Sequence, residues 1–272
     1  MIQLKSAAEI AKMRVAGLVV GQTLAKVRDA VAPGVSSADL DALAHDAITG
    51  AGATPSFLGY RGFPATLCTS INDEIVHGIP SRKRSLHAGD IISIDCGAIV
   101  DGWHGDAAIT VAVGAVDPEL TRLLAVGEDS MWAMFAGSSL GMRLRDLGAL
   151  CEGVVAPAGF GIVDGYGGHG IGSEMHQDPH VLNHTAGPRG PKVVEGMVLA
   201  IEPMITVGDP ATRELDDGWT VVTRDGSFAA HFEHTFTIVE DGPIVLTALD
   251  GGRAELAARG AKIGTIPGSE VP

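Results

Sequence analysis

The chain has 272 residues, of which 46% are hydrophobic and only 4% aromatic, so it can bury a large and mainly aliphatic core. Its formal net charge of −14 argues against nucleic acid as the main partner, because phosphate binding needs a basic surface. Three widely spaced cysteines, the lack of an apolar run of about 20 residues, and an N-terminus without a signal-peptide core together predict a cytoplasmic protein and exclude a membrane partner.

The N-terminal part of the chain predicts two capped helices. Ser6 with Glu9 is typical of a capping box, and apolar residues at helical spacing over residues 10–27 predict a long amphipathic helix. Ser36 with Asp39 repeats the capping pattern before a second helix. The next segments are predicted to be an aromatic, glycine-rich stretch at 57–64, a short strand at Leu67–Ile71 and a loop over 72–85.

Two aspartates flank the strongest hairpin signal of the chain. Asp95 interrupts one apolar run, Asp106 begins another, and Asp101-Gly102 between them is a favoured two-residue turn. With this turn Asp95 faces Ala108, so Asp95 and Asp106 are diagonal neighbours on one face, roughly 7–8 Å apart between backbones. Either aspartate alone could equally well cap or solvate the turn. Together they need a divalent metal or a shared proton between them.

Beyond the hairpin the pattern predicts two further helices, two polar segments and several strands. In chain order these are a helix from Asp117-Pro118, a helix at Leu144–Val155, a glycine-rich segment at 165–172, a histidine-rich segment at 174–184, strands at 197–207, 219–223 and 234–240, and a short helix with a tail from Arg253.

The order of elements occurs twice, which indicates an internal duplication. Two matches share one offset, and a third is displaced by about 20 further residues, so the second half carries an insertion between its acidic strands. The matching segments are 34–40 with 141–147, 89–95 with 196–202, and 106–111 with 233–238. Each acidic strand carries its carboxylate at the same place. The repeat is longer than solenoid periods, so the two copies are expected to be halves of one domain.

If the halves meet about a pseudo-dyad, four carboxylates converge: Asp95, Asp106, Glu202 and Glu233. They cannot all be ionised without counter-charge, and two divalent ions about 3.5–4 Å apart would nearly neutralise them. His169, flanked by glycines, is the candidate imidazole ligand, although a lone histidine is more often structural. Oxygen ligands with one imidazole suit Mn, Fe(II), Co or Zn.

Several motifs now resemble a known family over most of the chain. They are residues 70–80 (SINDEIVHGIP), Gly105-Asp106, residues 168–172 (GHGIG) with His176, residues 201–204 (IEPM), residues 217–220 (DGWT) and residues 233–235 (EHT). In these motifs the chain is similar to type I methionine aminopeptidases, of the pita-bread metallopeptidase (M24-like) group. The resemblance implies an α/β (α+β) fold of two duplicated α/β halves, with a curved antiparallel sheet covered by helices.

The resemblance implies one catalytic domain over residues 1–252, with halves at about 1–115 and 116–250 and a C-terminal tail at 253–272. It also implies a metal-dependent hydrolase that removes the initiator methionine when the second residue is small. A metal-activated water would attack the scissile carbonyl.

The site residues carry over position by position. The implied ligands of two divalent metal ions (Co, Mn, Fe(II) or Zn) are Asp95, Asp106, His169, Glu202 and Glu233. Glu202 would also shuttle a proton, His176 would stabilise the oxyanion, and His77 would hold the substrate beyond the scissile bond. The implied substrate-binding residues are Phe57, Tyr60, Phe63, Cys68, His77, Met175, His176 and Trp219.

The implied partners are the N-terminal methionyl peptides of nascent chains, with transient ribosome contact left open, and the family suggests a monomer. Three alternatives stay open at this point. They are a proline-specific peptidase of the same fold, a non-catalytic peptide-binding module, and a metal-independent creatine hydrolase-like enzyme. The intact set of five ligands argues against the last two, and the absence of an additional N-terminal domain argues against the first.

Overall fold

The computed structural model describes residues 1–266 of the chain. Its first three helices begin where the sequence places caps. Ser6 with Glu9 and Ser36 with Asp39 both form the expected capping boxes, and Asp117 caps the third helix. Within the described residues the helices are α1 (Ala7–Ala30), α2 (Ser37–Gly50), α3 (Pro118–Ala136), α4 (Leu144–Val155) and α5 (Arg253–Ala258).

The strands are more numerous and shorter than the sequence pattern indicates. Within residues 1–266 they are β1 (Thr54–Pro55), β2 (Leu67–Ile71), β3 (Glu74–Val76), β4 (Ile91–Val100), β5 (Trp103–Ala112), β6 (Gly161–Ile162), β7 (Gly168–Gly170), β8 (Gln177–Val181), β9 (Val198–Ile201), β10 (Met204–Thr206), β11 (Thr212–Glu214), β12 (Val221–Thr223), β13 (Ala229–His231), β14 (Glu233–Val239) and β15 (Gly242–Val245).

One nine-stranded antiparallel sheet contains strands from both halves of the repeat. Its main path is β1-β4-β5-β14-β9-β7-β8, with β2 added beside β4 and β15 beside β14. The aspartate hairpin of the first half therefore meets the acidic strands of the second half where β5 pairs with β14. This order places the pseudo-dyad between β5 and β14, as expected for two duplicated halves that share one antiparallel sheet.

The hairpin has the predicted register. Val100 pairs with Trp103, and Asp95 pairs with Ala108. The turn residue Asp101 has a φ of 49° and Gly102 a φ of 79°, so both are left-handed, as the tight two-residue turn requires. The local sequence at the turn therefore determines which residues of β4 and β5 face each other.

Helices cover one face of the main sheet, and the other face carries polar side chains. Ile92 and Ile94 on β4 pack with Val20 and Leu24 of α1 in one apolar cluster. In the second half Leu199 and Ile201 of β9 pack in a separate cluster with residues of α3 and α4, which include Phe135 and Leu147. Since strand side chains alternate, the acidic residues point to the opposite face.

Two segments differ from the sequence prediction. Residues 72–85 are not all loop, because Glu74–Val76 forms β3 and pairs with β12. Residues 197–207 do not form one strand, because Glu202 and Pro203 interrupt it and separate β9 from β10. A proline has no N–H to donate to a sheet, and the break leaves Glu202 at the open end of β9.

The insertion in the second half forms a small sheet of its own. Strands β11 and β12 pair with each other, and β12 pairs with β3 from the first half. The loop between them, which carries Asp217 and Trp219, is closed by Asp217 Oδ1, which accepts from the backbone N–H groups of Trp219 and Thr220 at 2.9 and 2.8 Å. Trp219 of this loop lines the same cavity as Asp95 and Glu233, so the loop lies over the polar face of the main sheet.

The C-terminal part begins with the expected short helix, α5, whose Leu256 is fully buried. Ile266 packs into a third apolar cluster beside Ile10 of α1. Residues 267–272 of the expected tail lie outside the described part of the chain. Among residues 1–266, no helix combines the length and the apolar character needed to cross a bilayer.

Candidate metal centre

Four neighbouring strands each bring one carboxylate to the polar face of the sheet. Asp95 on β4 and Glu233 on β14 both pair with Ala108 of β5, one from each side. Asp106 lies two residues before Ala108, and Glu202 directly follows β9. The small Ala108 leaves space between the acids, and all four line one cavity. The structure thus brings together the carboxylates that the repeat predicted to converge.

His169 approaches the carboxylates from β7 because its neighbours are glycines. A side chain on Gly168 or Gly170 would overlap a carbonyl oxygen of β9 or β8, so only glycine lets β7 lie this close. His169 donates from Nδ1 to the carbonyl oxygen of Gly170 at 2.9 Å. Its Nε2 lies 3.9 Å from Oδ2 of Asp106 and 3.7 Å from Oε1 of Glu202. The lone pair of Nε2 therefore points among the acids.

The donor set fits a divalent cation. Oδ1 of Asp95, Oδ1 of Asp106 and Oε1 of Glu233 are buried without a hydrogen-bond partner among the described residues. One ligand atom each from Asp106, His169 and Glu233 all lie within 4.8 Å of one another. Unpaired buried acceptors are costly, and carboxylate oxygens with an imidazole nitrogen are ligands for Mn, Fe(II), Co or Zn.

Burial controls the electrostatics of the cluster. Removal from water raises the pKa of Asp95 to about 7 and that of Glu202 to about 8. It also raises the pKa values of Asp106 and Glu233 well above their usual range, with neighbouring carboxylates adding to the effect. Burial lowers the pKa of His169 to about 3. The acids thus hold protons that a cation can displace, while the imidazole is already free to bind.

One histidine of the cluster was missed by sequence reasoning. His231, the last residue of β13, is buried to 1% exposure beside Glu202 and Glu233. The available signal was its position two residues before Glu233, on the strand that precedes β14. The burial of His231 lowers its pKa, and nearby Asp95 acts in the opposite direction.

An apolar pocket adjoins the carboxylates. Cys68 on β2 pairs directly with Asp95 on β4, so the floor of the pocket and the acidic cluster are neighbours in the sheet. Phe63 packs edge-on against Trp219 with ring centroids 5.1 Å apart. The apolar cluster consists of Phe57, Phe63, Ala65, Cys68 and Met175, with half-buried Tyr60, Ile79 and Trp219 around it. Its aromatic and sulfur-containing lining suits an unbranched apolar side chain.

His176 lies between the pocket and the acids. Its ring stacks on Tyr60 and approaches His169, with centroid distances of 5.4 and 4.3 Å. Its Nδ1 is 3.0 Å from the Tyr60 hydroxyl. Burial, with Arg61 adding to it, lowers the pKa of His176 to about 4. When the hydroxyl donates to Nδ1, the neutral ring carries its proton on Nε2 and can donate it to an oxygen in the cavity.

His77 follows β3 in a backbone conformation that is rare for its residue type. Its φ is 61°, a left-handed value that costs of order 1 kcal/mol for a residue with a side chain. The ring meets Trp219 edge-on at 6.4 Å, and burial lowers its pKa to about 4. The strained backbone directs a neutral imidazole toward the cavity.

The acids, His169, His77, His176 and most of the apolar pocket line one cavity of about 280 Å³, whereas His231 lies outside its lining. It contains every residue that the sequence assigned to metal, catalysis or substrate, namely Phe57, Tyr60, Phe63, Cys68, His77, Asp95, Asp106, His169, Met175, His176, Glu202, Trp219 and Glu233. Arg61 also lines it, and Ala65 and Ile79 pack against its apolar side. Nothing in the local sequence distinguished Arg61 or Ala65, and Ile79 lies in the motif of residues 70–80 without an assigned role.

Comparison with known proteins agrees with this geometry. The model of Metallopeptidase family M24 matches residues 11–240. A methionine aminopeptidase of Clostridium acetobutylicum is 51% identical over 247 residues, which cover 91% of this chain and 99% of that protein. Methionine aminopeptidase 1 of Mycobacterium tuberculosis is 51% identical over 89% of this chain and 94% of its own length. The crystal structure of a Thermotoga maritima methionine aminopeptidase has a TM-score of 0.89 at 39% identity and covers 91% of this chain and 100% of its own.

Proposed function

The chain belongs to metallopeptidase family M24, and from this premise we infer that it removes methionine from the N-terminus of polypeptides by metal-dependent hydrolysis. The observation that carries this function is that the acidic cluster and the apolar pocket are adjacent. A carboxylate and imidazole cluster that fits a cation lies directly beside an apolar pocket, because Cys68 pairs with Asp95 in the sheet. An N-terminal side chain in the pocket would leave its peptide bond beside the acids.

We propose that Asp95, Asp106, His169, Glu202 and Glu233 hold two divalent ions, Mn, Co, Fe(II) or Zn. The bound ions would supply an activated water and would polarise the scissile carbonyl group. Glu202 accepts the proton of the attacking water and returns it to the leaving amine. Glu202 lines the cavity at the open end of β9, which places its carboxylate where this proton exchange would take place.

The two other histidines have separate roles in this proposal. His176 donates from Nε2 to the developing oxyanion, while the Tyr60 hydroxyl fixes the opposite ring nitrogen at 3.0 Å. His77 holds the peptide beyond the scissile bond. Both rings are neutral at working pH, because burial lowers the pKa of each to about 4.

The pocket would select methionine over branched side chains. Phe57, Phe63, Cys68, Met175 and Trp219 line the pocket with aromatic rings and sulfur atoms. Thioether sulfur interacts favourably with aromatic edges, by about 0.3–1.5 kcal/mol per contact. The pocket therefore supports methionine as the first residue of the substrate, and a small second residue is a further part of the proposal.

The proposal extends to the setting of the enzyme. The substrates would be methionyl ends of nascent chains, which implies a cytoplasmic location and leaves transient contact with the ribosome as a prediction. A monomer, and one catalytic domain over residues 1–252, are also predictions.

The test is methionine release from Met-Ala-Ser, Leu-Ala-Ser and Met-Pro after chelation and after addition of Mn, Co or Fe(II). We expect metal-dependent cleavage of Met-Ala-Ser alone, and loss of that activity in folded Glu202→Ala and His169→Ala variants. Cleavage of Met-Pro alone would favour a proline-specific peptidase. A folded protein that cleaves none of the three with any metal would point to a peptide-binding module.

A further inference from the structure

The backbone of His231 is held in place by the neighbouring strand. The Thr110 hydroxyl on β5 accepts from the His231 N–H at 2.9 Å and donates to its carbonyl oxygen at 2.7 Å. A second hydroxyl, that of Ser93 on β4, lies 2.9 Å from Thr110 Oγ1. Both hydroxyls lie on the polar face of the sheet. These hydrogen bonds from Thr110 on β5 therefore fix the backbone of His231 relative to the acids.

The imidazole of His231 lacks hydrogen bonds although it is almost fully buried. Among the described residues neither Nδ1 nor Nε2 has a hydrogen-bond partner, and the residue is only 1% exposed. Its Nε2 lies 3.6 Å from Oε2 of Glu202 and 3.9 Å from Oε2 of Glu233, both too long for hydrogen bonds. A buried unpaired N–H costs about 1–3 kcal/mol, so this group needs a partner in the working state.

Glu202 presents one oxygen to each of two imidazoles. Its Oε1 faces Nε2 of His169 at 3.7 Å, and its Oε2 faces Nε2 of His231 at 3.6 Å. The two rings differ at their other nitrogen. His169 donates from Nδ1 to a backbone carbonyl, which leaves Nε2 unprotonated and able to bind a metal. No acceptor among the described residues holds a proton on Nδ1 of His231.

From this asymmetry we propose that His231 is a positioning residue of the metal centre. It carries its proton on Nε2 and donates it to Oε2 of Glu202, so that Oε1 stays turned toward His169 and the cation. Metal ligands commonly need such an outer partner, and its loss typically weakens metal affinity 10–100-fold. The inference rests on the proposed function only in assuming that the cluster binds a metal.

The experiment compares His231→Leu with His231→Gln, because glutamine keeps an N–H donor and leucine does not. Mn²⁺ affinity of the metal-free protein is measured by calorimetric titration, and kcat and KM for Met-Ala-Ser are measured at saturating Mn²⁺. His87→Gln is the matched control, since the His87 side chain is 81% exposed. We expect Mn²⁺ affinity 10–100-fold weaker in His231→Leu, within about threefold of wild type in His231→Gln, and unchanged in the control.

A second measurement uses the unmutated protein and does not depend on how the variants fold. Long-range ¹⁵N–¹H spectra of the zinc-loaded protein report which ring nitrogen of His231 carries the proton, with His231→Gln assigning the signal. We expect the Nε2–H form. An Nδ1–H form, unchanged Mn²⁺ affinity in His231→Leu, or equal losses in the leucine and glutamine variants would each overturn the proposal. A wild-type protein that binds Mn²⁺ but cleaves no peptide would refute the proposed function and leave this comparison decisive.

Discussion

The hydroxyl of Thr235 joins the two halves of the sheet at a proposed metal ligand. Thr235 Oγ1 accepts from the backbone N–H of Asp106 at 3.0 Å and donates to the Asp106 carbonyl oxygen at 2.8 Å. Thr235 is fully buried. Thr235→Val keeps the shape of the side chain and removes both bonds. We expect it to destabilise the protein and to displace Asp106.

The magnitude follows from the two backbone groups left without partners. Each buried, unsatisfied donor or acceptor costs about 1–3 kcal/mol, so the free energy of unfolding should fall by about 2–6 kcal/mol for the two groups. This is a large part of the roughly 5–15 kcal/mol of a typical domain. Thr237→Val is a matched comparison, because the buried Thr237 hydroxyl makes a single bond, to the Met197 carbonyl oxygen at 2.7 Å. The free energy of unfolding of Thr237→Val should fall about half as far as that of Thr235→Val.

Urea unfolding of metal-free protein, followed by circular dichroism, measures these losses without a contribution from metal binding. Thr235→Ser keeps the hydroxyl and should lose only about 1 kcal/mol. The Mn²⁺ affinity of Thr235→Val should also fall, whereas that of Thr237→Val should not. A Thr235→Val protein within 1 kcal/mol of wild type, or a serine variant as unstable as the valine variant, would refute the reasoning.

Three further predictions concern the site. His176→Ala should lower kcat about 10²-fold with little change in KM, as steady-state kinetics would show; a change in KM alone would contradict the oxyanion role. Mn²⁺ affinity should fall as the pH drops from 8 to 6, because the carboxyl groups of Asp95 and Glu202, with pKa values of about 7 and 8, take up protons that compete with the metal. Calorimetric titrations in buffers of different ionisation enthalpy should show that Mn²⁺ binding releases protons. A pH-independent Mn²⁺ affinity would contradict this prediction. Gly168→Ala should weaken metal binding and lower the melting temperature, because its new methyl group would overlap a β9 carbonyl oxygen. The control is Gly153→Ala on an open face of α4, which should leave metal binding unchanged and should leave stability unchanged or slightly higher.

Local patterns in the sequence were sufficient for much of the fold. The capping boxes at Ser6 and Ser36 mark the starts of α1 and α2, because the cap and its partner are three residues apart. The Asp101-Gly102 turn fixed the register of β4 and β5, because a two-residue turn leaves one pairing only. The repeat then aligned Glu202 and Glu233 with the two aspartates. The sequence was therefore sufficient to predict which acidic residues share the polar face of the sheet.

The break at Glu202-Pro203 and the strand β3 were not predicted correctly, because each depends on a distant partner. Residues 74–76 become a strand only where β12, about 145 residues later, pairs with them. Pro203 was visible in the sequence, but an apolar run on both sides of it favoured one continuous strand. The end of pairing there turns Glu202 toward His169.

The sequence by itself determined the helices, the acidic hairpin, the duplication and the identities of the four acids and His169, since each rests on neighbours in the chain or on the match between two copies. Only the tertiary structure decided that His231 lies against Glu202 and that Cys68 adjoins Asp95. Those contacts arise from pairing between strands that are far apart in the chain, and the burial that shifts the pKa values of the acids arises with them. No local pattern specifies either, because distance in space and removal from water are properties of the assembled sheet.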